Sequence, residues 1–214
     1  MQDQIILTGM VIKESSIGEY DRRVTLLTKE RGKISAFARG ARKPNSRFIA
    51  STSLFAFGKF TMYEGRSSYN LTDTDISNYF EKMREDYDAA IYGMYFLEIA
   101  DYYTRENNEE SELLGLMYQS LKALLNERLD DRLVRHIFEI RSMAIEGEFP
   151  GLPGDLEYSK STLYTAEFIV NEPLESLYTF RVSDEVLAEL VQACGILQKR
   201  YIDTEFKSLE MLPQ

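Results

Sequence analysis

Residues 18–48 read GEYDRRVTLLTKERGKISAFARGARKPNSRF, and this stretch decides how the fold of the chain is interpreted. It contains two strand-like runs, residues 23–28 and 33–38, separated by a short connection that ends at Gly32. Because glycine readily adopts a positive φ, the connection suits a tight turn. The stretch therefore predicts a β-hairpin, followed by a polar loop over residues 39–47.

Basic side chains dominate this stretch. Residues 22–47 carry nine of them and one acidic side chain, Glu30, a local net charge of +8 in a chain with a formal net charge of −10. The nine are Arg22, Arg23, Lys29, Arg31, Lys33, Arg39, Arg42, Lys43 and Arg47. Such a concentration on an acidic chain is typical of a polyanion-binding surface. The alternative is a solvated hairpin that binds nothing.

The strands around the hairpin predict a small barrel. Residues 5–13 are rich in β-branched side chains, aromatic residues recur near period two over residues 54–63, and residues 67–72 form the last strand-like run. Gly9 and Gly58 interrupt two of these runs, where a tightly curled sheet needs bends. Five short strands of this kind predict an OB-type β-barrel over residues 1–76.

Three aromatic residues, Tyr20, Phe37 and Phe48, lie among the basic ones. Aromatic rings next to cations can stack on unpaired bases while the cations neutralise phosphates. The alternative is that Phe37 and Phe48 belong to the barrel core. The sequence leaves both interpretations open.

The remainder of the chain, residues 77–214, predicts a helical domain, so the fold class is α+β. Apolar residues recur at helical spacing over residues 79–103, 113–125, 133–144 and 187–197. Residues 150–173 are less regular, and two short strands are predicted there, near residues 163–164 and 168–170. Residues 1–80 carry a net charge of +4 and the remainder −14, which supports a domain boundary in this region.

The sequence gives no support for most kinds of catalytic site. The chain has one histidine, His136, expected on a helix surface or partly packed, and one cysteine, Cys194, expected in the core. A lone cysteine excludes an internal disulfide, and neither phosphate-loop nor dinucleotide-binding glycine motifs occur. No apolar run is long enough to span a bilayer. We expect a cytoplasmic protein that is not an enzyme and has no membrane association.

Several segments resemble the bacterial RecO family of DNA repair proteins. The resemblance lies in GEYDR at residues 18–22, VTLLT at 24–28, RGKISA at 31–36 and ARGAR at 38–42. It continues in YFLE at residues 95–98 and FEIR at 138–141, followed by Gly147 and Pro150. These matches occur in the same order over about three quarters of the chain.

The resemblance implies a mediator of recombination in the DNA damage response. It implies binding of single- and double-stranded DNA, strand annealing and, with a RecR-like partner, help in loading a RecA-type recombinase onto strands coated by single-strand-binding protein (SSB). The acidic SSB tail would be a partner, and the protein would be nucleoid-associated. A DNA-binding role is implied for these residues: Arg22, Arg23, Lys33, Arg39, Arg42, Lys43 and Arg47.

One departure from the family concerns zinc. Many members carry a four-cysteine zinc module after the glycine–proline element, whereas this chain has no cysteine there. No metal site and no cofactor are therefore expected, and packing must hold the segment instead. Two alternatives to the DNA mediator stay open: a protein-interaction scaffold whose barrel contacts an acidic protein, and an RNA-binding OB protein.

Overall fold

Five strands form a closed barrel in the computed structural model, which describes residues 4–66 and 68–212. The strands are β1 (Gln4–Ile17), β2 (Asp21–Thr28), β3 (Gly32–Ala38), β4 (Phe57–Glu64) and β5 (Tyr69–Asn78). Their order around the barrel is β1-β2-β3-β5-β4. All pairings are antiparallel except that of β3 with β5. The predicted OB-type barrel and its hairpin are confirmed.

The barrel core follows the period-two alternation of the strands. In β3, Ile34, Ala36 and Ala38 are buried, and the side chains between them point outward. Inward-pointing residues of the other strands, such as Phe60 and Met62 of β4, complete the core. The inward side chains of the strands are therefore mainly apolar, and the outward face is where a ligand can bind.

Both glycines expected at bends lie against neighbouring backbone. A Cβ at Gly58 would come within 2.3 Å of the Asp75 carbonyl oxygen, and the β4–β5 register shifts beside it. A Cβ at Gly9 would come within 2.5 Å of the Leu27 carbonyl oxygen. The irregularity of β1 lies slightly further along, between Val11 and Lys13. Glycine is required at both positions because two strands approach closely there.

Six α-helices follow or interrupt the strands in the described residues. They are α1 (Phe48–Ser51), α2 (Tyr87–Tyr103), α3 (Ser111–Leu124), α4 (Asp131–Ile145), α5 (Lys160–Asn171) and α6 (Asp184–Tyr201). Side chains cap the N-termini of two of these helices: Asp130 accepts from the Arg132 amide at α4, and Ser183 accepts from the Val186 amide at α6. The α+β class is confirmed.

The prediction of short strands near residues 163–164 and 168–170 is wrong. These residues lie in α5, whose side chains at Thr162, Thr165, Ala166 and Ile169 are buried with helical spacing. The insert of residues 150–173 is therefore irregular only in its first part. No helix among the described residues is both long and apolar enough to cross a membrane.

The chain divides into two compact units. The barrel unit contains residues 1–84 together with Leu97–Leu114, and the helical unit contains Glu85–Phe96 and residues 115–214. Helices α2 and α3 thus contribute residues to both units. The boundary expected between residues 76 and 77 stays a prediction.

Candidate nucleic-acid interface

The turn between β1 and β2 and the loop after β3 form one surface of the barrel unit. We call residues 39–47 the basic loop. The Arg42 amide donates to the Tyr20 carbonyl oxygen over 2.8 Å, and the Gly40 amide donates to Asp21 Oδ1 over 2.7 Å. These bonds tie the basic loop to the β1–β2 turn, so its side chains are presented from a fixed backbone.

Three cations of the basic loop, Arg39, Arg42 and Lys43, are exposed. Among the described residues, none of the three forms an ion pair with a carboxylate. Lys43 Nζ lies 5.7 Å from the centre of the Tyr20 ring, which is 42% exposed. This part of the surface therefore offers uncompensated positive charge beside an accessible aromatic ring, the combination that phosphates and bases require.

Arg23 points outward from β2 and is exposed. Its guanidinium carbon lies 5.3 Å from the centre of the Phe37 ring, and its Nε donates to Ser35 Oγ over 2.9 Å. The side chain is thus oriented but keeps further donors available. Arg23 and the three exposed cations of the basic loop are the predicted residues best placed to contact a ligand.

Two other predicted residues are held by carboxylates. Arg22 lies 2.9 Å from Glu14 Oε2 and donates to Thr52 Oγ1, and its side chain is only 17% exposed. Arg47 lies 3.1 Å from Asp73 Oδ1, with both side chains more than half exposed. An exposed pair of this kind contributes little and can be exchanged for a phosphate, whereas the Arg22 pair is part of the loop packing.

Lys33 is occupied by Asp101 of α2, within the barrel unit. Lys33 Nζ lies 3.1 Å from Asp101 Oδ1, and Lys13 Nζ lies 2.6 Å from Oδ2. Burial acts to raise the pKa of Asp101, but the hydrogen bonds from the two lysines outweigh it and the pKa is lowered. Lys33 thus shares this carboxylate with Lys13 in the structure, and its DNA-binding role stays a prediction.

The two aromatic residues with open interpretations differ in position. Phe48 is 8% exposed and belongs to the barrel core, although the Arg47 guanidinium carbon lies 4.9 Å from its ring centre. Phe37 points outward from β3 and is half-buried. The core interpretation therefore holds for Phe48, while Phe37 lies on the surface where a base could stack.

A buried polar cluster in the helical unit was not expected from the sequence. His136, predicted at a surface or partly packed, is 2% exposed, and its Nδ1 lies 2.7 Å from Glu139 Oε2. Glu139 Oε1 accepts from the Tyr95 hydroxyl over 2.6 Å and from Arg135 Nε over 2.8 Å. Cys194 completes the cluster. Only the fold reveals it, because α2, α4 and α6 contribute its members.

This cluster contains donors that could in principle bind a metal ion, since ligand atoms of His136, Glu139 and Cys194 lie within 4.8 Å of one another. In the structure, Glu139 instead accepts hydrogen bonds within the cluster. Burial opposes the charge on Glu139, but His136 and Arg135 hold its pKa at about 2. Burial and the neighbouring Glu139 raise the pKa of Cys194 well above its usual value. The absence of a metal site stays a prediction.

The helical unit also has an open cavity of about 560 Å³. Aromatic and basic side chains share its lining, which includes Lys160, Tyr164, Phe168, Phe180, Arg181 and Val186. The rings of Phe168 and Phe180 meet edge to face with centres 5.1 Å apart. Lys160 and Arg181 are both exposed. An apolar floor with two cations at its rim suits an anionic ligand that has an apolar group.

A closed OB-type barrel with a basic loop, followed by a helical unit, is typical of nucleic-acid-binding proteins. Comparisons with known proteins identify the family. The family profile described as "Recombination protein O N terminal" matches residues 1–80, and the one described as "Recombination protein O C terminal" matches residues 84–153. The chain belongs to the RecO family.

Curated relatives carry the name "DNA repair protein RecO". The protein of Acetivibrio thermocellus is 27% identical, with 96% of this chain and 94% of the relative covered. That of Clostridium novyi is 32% identical, with 65% and 54% covered. That of Bacillus subtilis is 34% identical, with 67% and 56% covered. The last two alignments thus span little more than half of each relative.

Proposed function

We propose that this chain is a non-enzymatic mediator of DNA repair and homologous recombination that binds single- and double-stranded DNA through the barrel unit. The observation that carries the proposal is the exposed cationic group of Arg39, Arg42 and Lys43, held by the β1–β2 turn on a chain of net charge −10. Membership of the RecO family supports the repair and recombination role.

The chemistry required of such a mediator is charge neutralisation. Two DNA strands repel each other through their phosphates, and cations that neutralise phosphates and release counterions reduce that repulsion. A surface of three uncompensated cations, with Arg23 and the exchangeable Arg47 nearby, can hold a strand without reading its sequence. Annealing of complementary strands follows from this property and needs no bond-making or bond-breaking step.

Charge reversal tests the proposal. Replacing Arg39, Arg42 and Lys43 by glutamate should weaken binding of a 30-nucleotide strand at low salt by at least about 100-fold, because three phosphate contacts become repulsive. Annealing of complementary strands should be lost in parallel. The control makes the same charge change at exposed residues of the helical unit: Lys122, Arg128 and Lys199. Equal DNA affinity in both triple variants would refute the assignment.

The partners are proposed on the same basis. A RecR-like protein would act with this chain, and a RecA-type recombinase would be loaded indirectly. The acidic, apolar-ended tail of SSB is proposed to bind the cavity lined by Phe168, Phe180 and Arg181, because its charges and its apolar floor match such a peptide. The alternative of a protein-interaction scaffold, in which the barrel contacts an acidic protein, stays a prediction.

Peptide binding can be measured without DNA. A fluorescein-labelled SSB tail peptide should bind the unaltered protein, and Arg181→Glu should weaken binding by about tenfold or more through repulsion. Arg128→Glu, a matched reversal at an exposed arginine outside the cavity lining, should have little effect. Binding unaffected by Arg181→Glu would exclude this cavity. Tighter binding of an RNA strand than of the same DNA sequence would instead favour an RNA-binding protein. Action at the bacterial nucleoid in the cytoplasm is part of the proposal.

A further inference from the structure

Four outward-pointing residues form a row across the barrel. Arg23 of β2 is the register partner of Phe37 of β3, Phe37 is the partner of Asn70 of β5, and Asn70 is the partner of Tyr63 of β4. The row therefore runs perpendicular to four neighbouring strands. With strands about 4.8 Å apart, the backbones at Phe37 and Tyr63 are about 10 Å apart.

Polar and aromatic side chains alternate along the row. Tyr63 is 36% exposed, Phe37 and Asn70 are half-buried, and Arg23 is exposed. The row thus presents a guanidinium, an aromatic ring, an amide and a second aromatic ring. Rings and guanidinium planes stack on bases, and an amide can donate to and accept from a base edge.

The basic loop borders this row along one side, next to its two middle members, Phe37 and Asn70, because β3 and β5 run parallel. Arg39 follows Phe37 by two residues at the end of β3. On the same side, Arg47 donates to the Thr72 carbonyl oxygen, two residues beyond Asn70 on β5. Cations that neutralise phosphates therefore lie beside aromatic groups that can hold bases.

We infer that the row Arg23–Phe37–Asn70–Tyr63 is a binding site for unpaired nucleobases, with Phe37 and Tyr63 as its two stacking positions. The inference rests on the proposed DNA-binding function and adds a strand preference to it. Bases of a duplex are stacked on each other and are not available to these rings, whereas those of a single strand are. Duplex binding then depends on the cations that neutralise phosphates and not on the two rings.

The test separates base contacts from phosphate contacts. Binding is measured by fluorescence anisotropy with three probes: a 20-nucleotide mixed-sequence strand, the corresponding duplex, and a strand of equal length with abasic tetrahydrofuran residues. Phe37→Leu and Tyr63→Leu should each weaken binding of the base-bearing strand by about 5- to 100-fold, the range for loss of one stacked base. Binding of the duplex and of the abasic strand should change by less than about twofold.

Two further variants keep the result interpretable. Tyr63→Phe retains the ring and should restore most of the single-strand affinity. Tyr87→Leu removes an aromatic side chain that is 68% exposed and lies outside the row, so it should leave all three affinities unchanged. Equal losses on the base-bearing and abasic strands, or no loss on either, would overturn the inference while leaving the DNA-binding function intact. Failure of the unaltered protein to bind any of the probes would overturn both.

Discussion

Glu139 keeps a negative charge in the interior of the helical unit because three partners surround it. Its pKa of about 2 lies below the usual 4.5, although burial alone acts in the other direction. The ion pair with Arg135 and the bonds from Tyr95 and His136 thus outweigh desolvation. Removing the carboxylate leaves the half-buried Arg135 guanidinium without its partner, and this loss costs more than the intact pair contributes.

Replacing this carboxylate should lower stability at neutral pH. Glu139→Gln is expected to reduce the free energy of unfolding by about 3 kcal/mol at pH 7.5, measured by urea denaturation. Because the folded pKa is depressed, the contribution is present above pH 4.5 and is lost as the pH falls toward 2. The difference from the unaltered protein should therefore shrink below pH 4.5. Glu148→Gln, at an exposed glutamate beyond the same helix, serves as the control; an equal effect of both changes would contradict the account.

The pKa of Asp131, the first residue of α4, is shifted in the opposite direction to that of Glu139. Burial, followed by the carboxylates of Asp86, Asp130 and Asp88, raises its pKa from 3.8 to about 6. A raised acid pKa means that ionisation costs stability as the pH rises from about 4 to 6, with no further change above. Removing the charge is then favourable at neutral pH.

Asp131→Asn should therefore stabilise the protein by about 1–2 kcal/mol at pH 7.5 and have little effect at pH 4. Thermal unfolding at both pH values measures this. Asp130→Asn is the matched comparison, because hydrogen bonds from Arg132 lower the pKa of Asp130 and no gain is expected there. A loss of stability in Asp131→Asn at pH 7.5 would show that the neighbouring acids do not control this site.

At the scale of single elements, the hairpin and α5 show when a sequence pattern is sufficient to predict secondary structure. Strands β2 and β3 were predictable because their alternation is regular and Gly32 marks the turn. The helix α5 was missed because Gly151, Pro153 and Gly154 make the preceding residues irregular. The buried face of α5 consists of Thr162, Thr165, Ala166 and Ile169. Two of these are threonines, whose polar hydroxyls make the apolar periodicity of the helix difficult to recognise in the sequence.

The start of α5 depends on one side chain. Ser159 Oγ accepts a hydrogen bond from the Thr162 amide over 3.2 Å, as an N-cap does. Ser159→Ala should lower the free energy of unfolding by about 1 kcal/mol. Ser161→Ala, within the first turn at an exposed position, should be close to neutral. If the two changes had equal effects in urea denaturation, the capping role of Ser159 would be wrong.

At the scale of the whole molecule, charge is distributed unevenly, and the proposed function rests on that distribution. The contrast between a basic N-terminal segment and an acidic remainder was readable from the sequence, and it pointed to the barrel. The sequence does not show which of these cations are free of carboxylate partners and so available to a ligand. Glu14 and Asp101 engage Arg22 and Lys33, and these partners are separated from them by 8 and 68 residues.

Two groups of neighbouring residues could not be predicted from the sequence because their members come from distant elements. The row Arg23–Phe37–Asn70–Tyr63 joins residues from four strands, and its members become neighbours only when the barrel closes. The cluster around Glu139 likewise needs three helices. Local periodicity predicts elements and their faces, but it carries no information on which residues of distant elements face one another.

The salt dependence of single-strand binding tests most directly the proposal that the cationic surface of the barrel binds DNA. The logarithm of the association constant should fall linearly with the logarithm of salt concentration, by about 0.7 for each phosphate contact. Replacing Arg39, Arg42 and Lys43 by glutamine should make this slope shallower by about 2, because three contacts are removed. A slope near zero for the unaltered protein, or an identical slope for both proteins, would contradict the account.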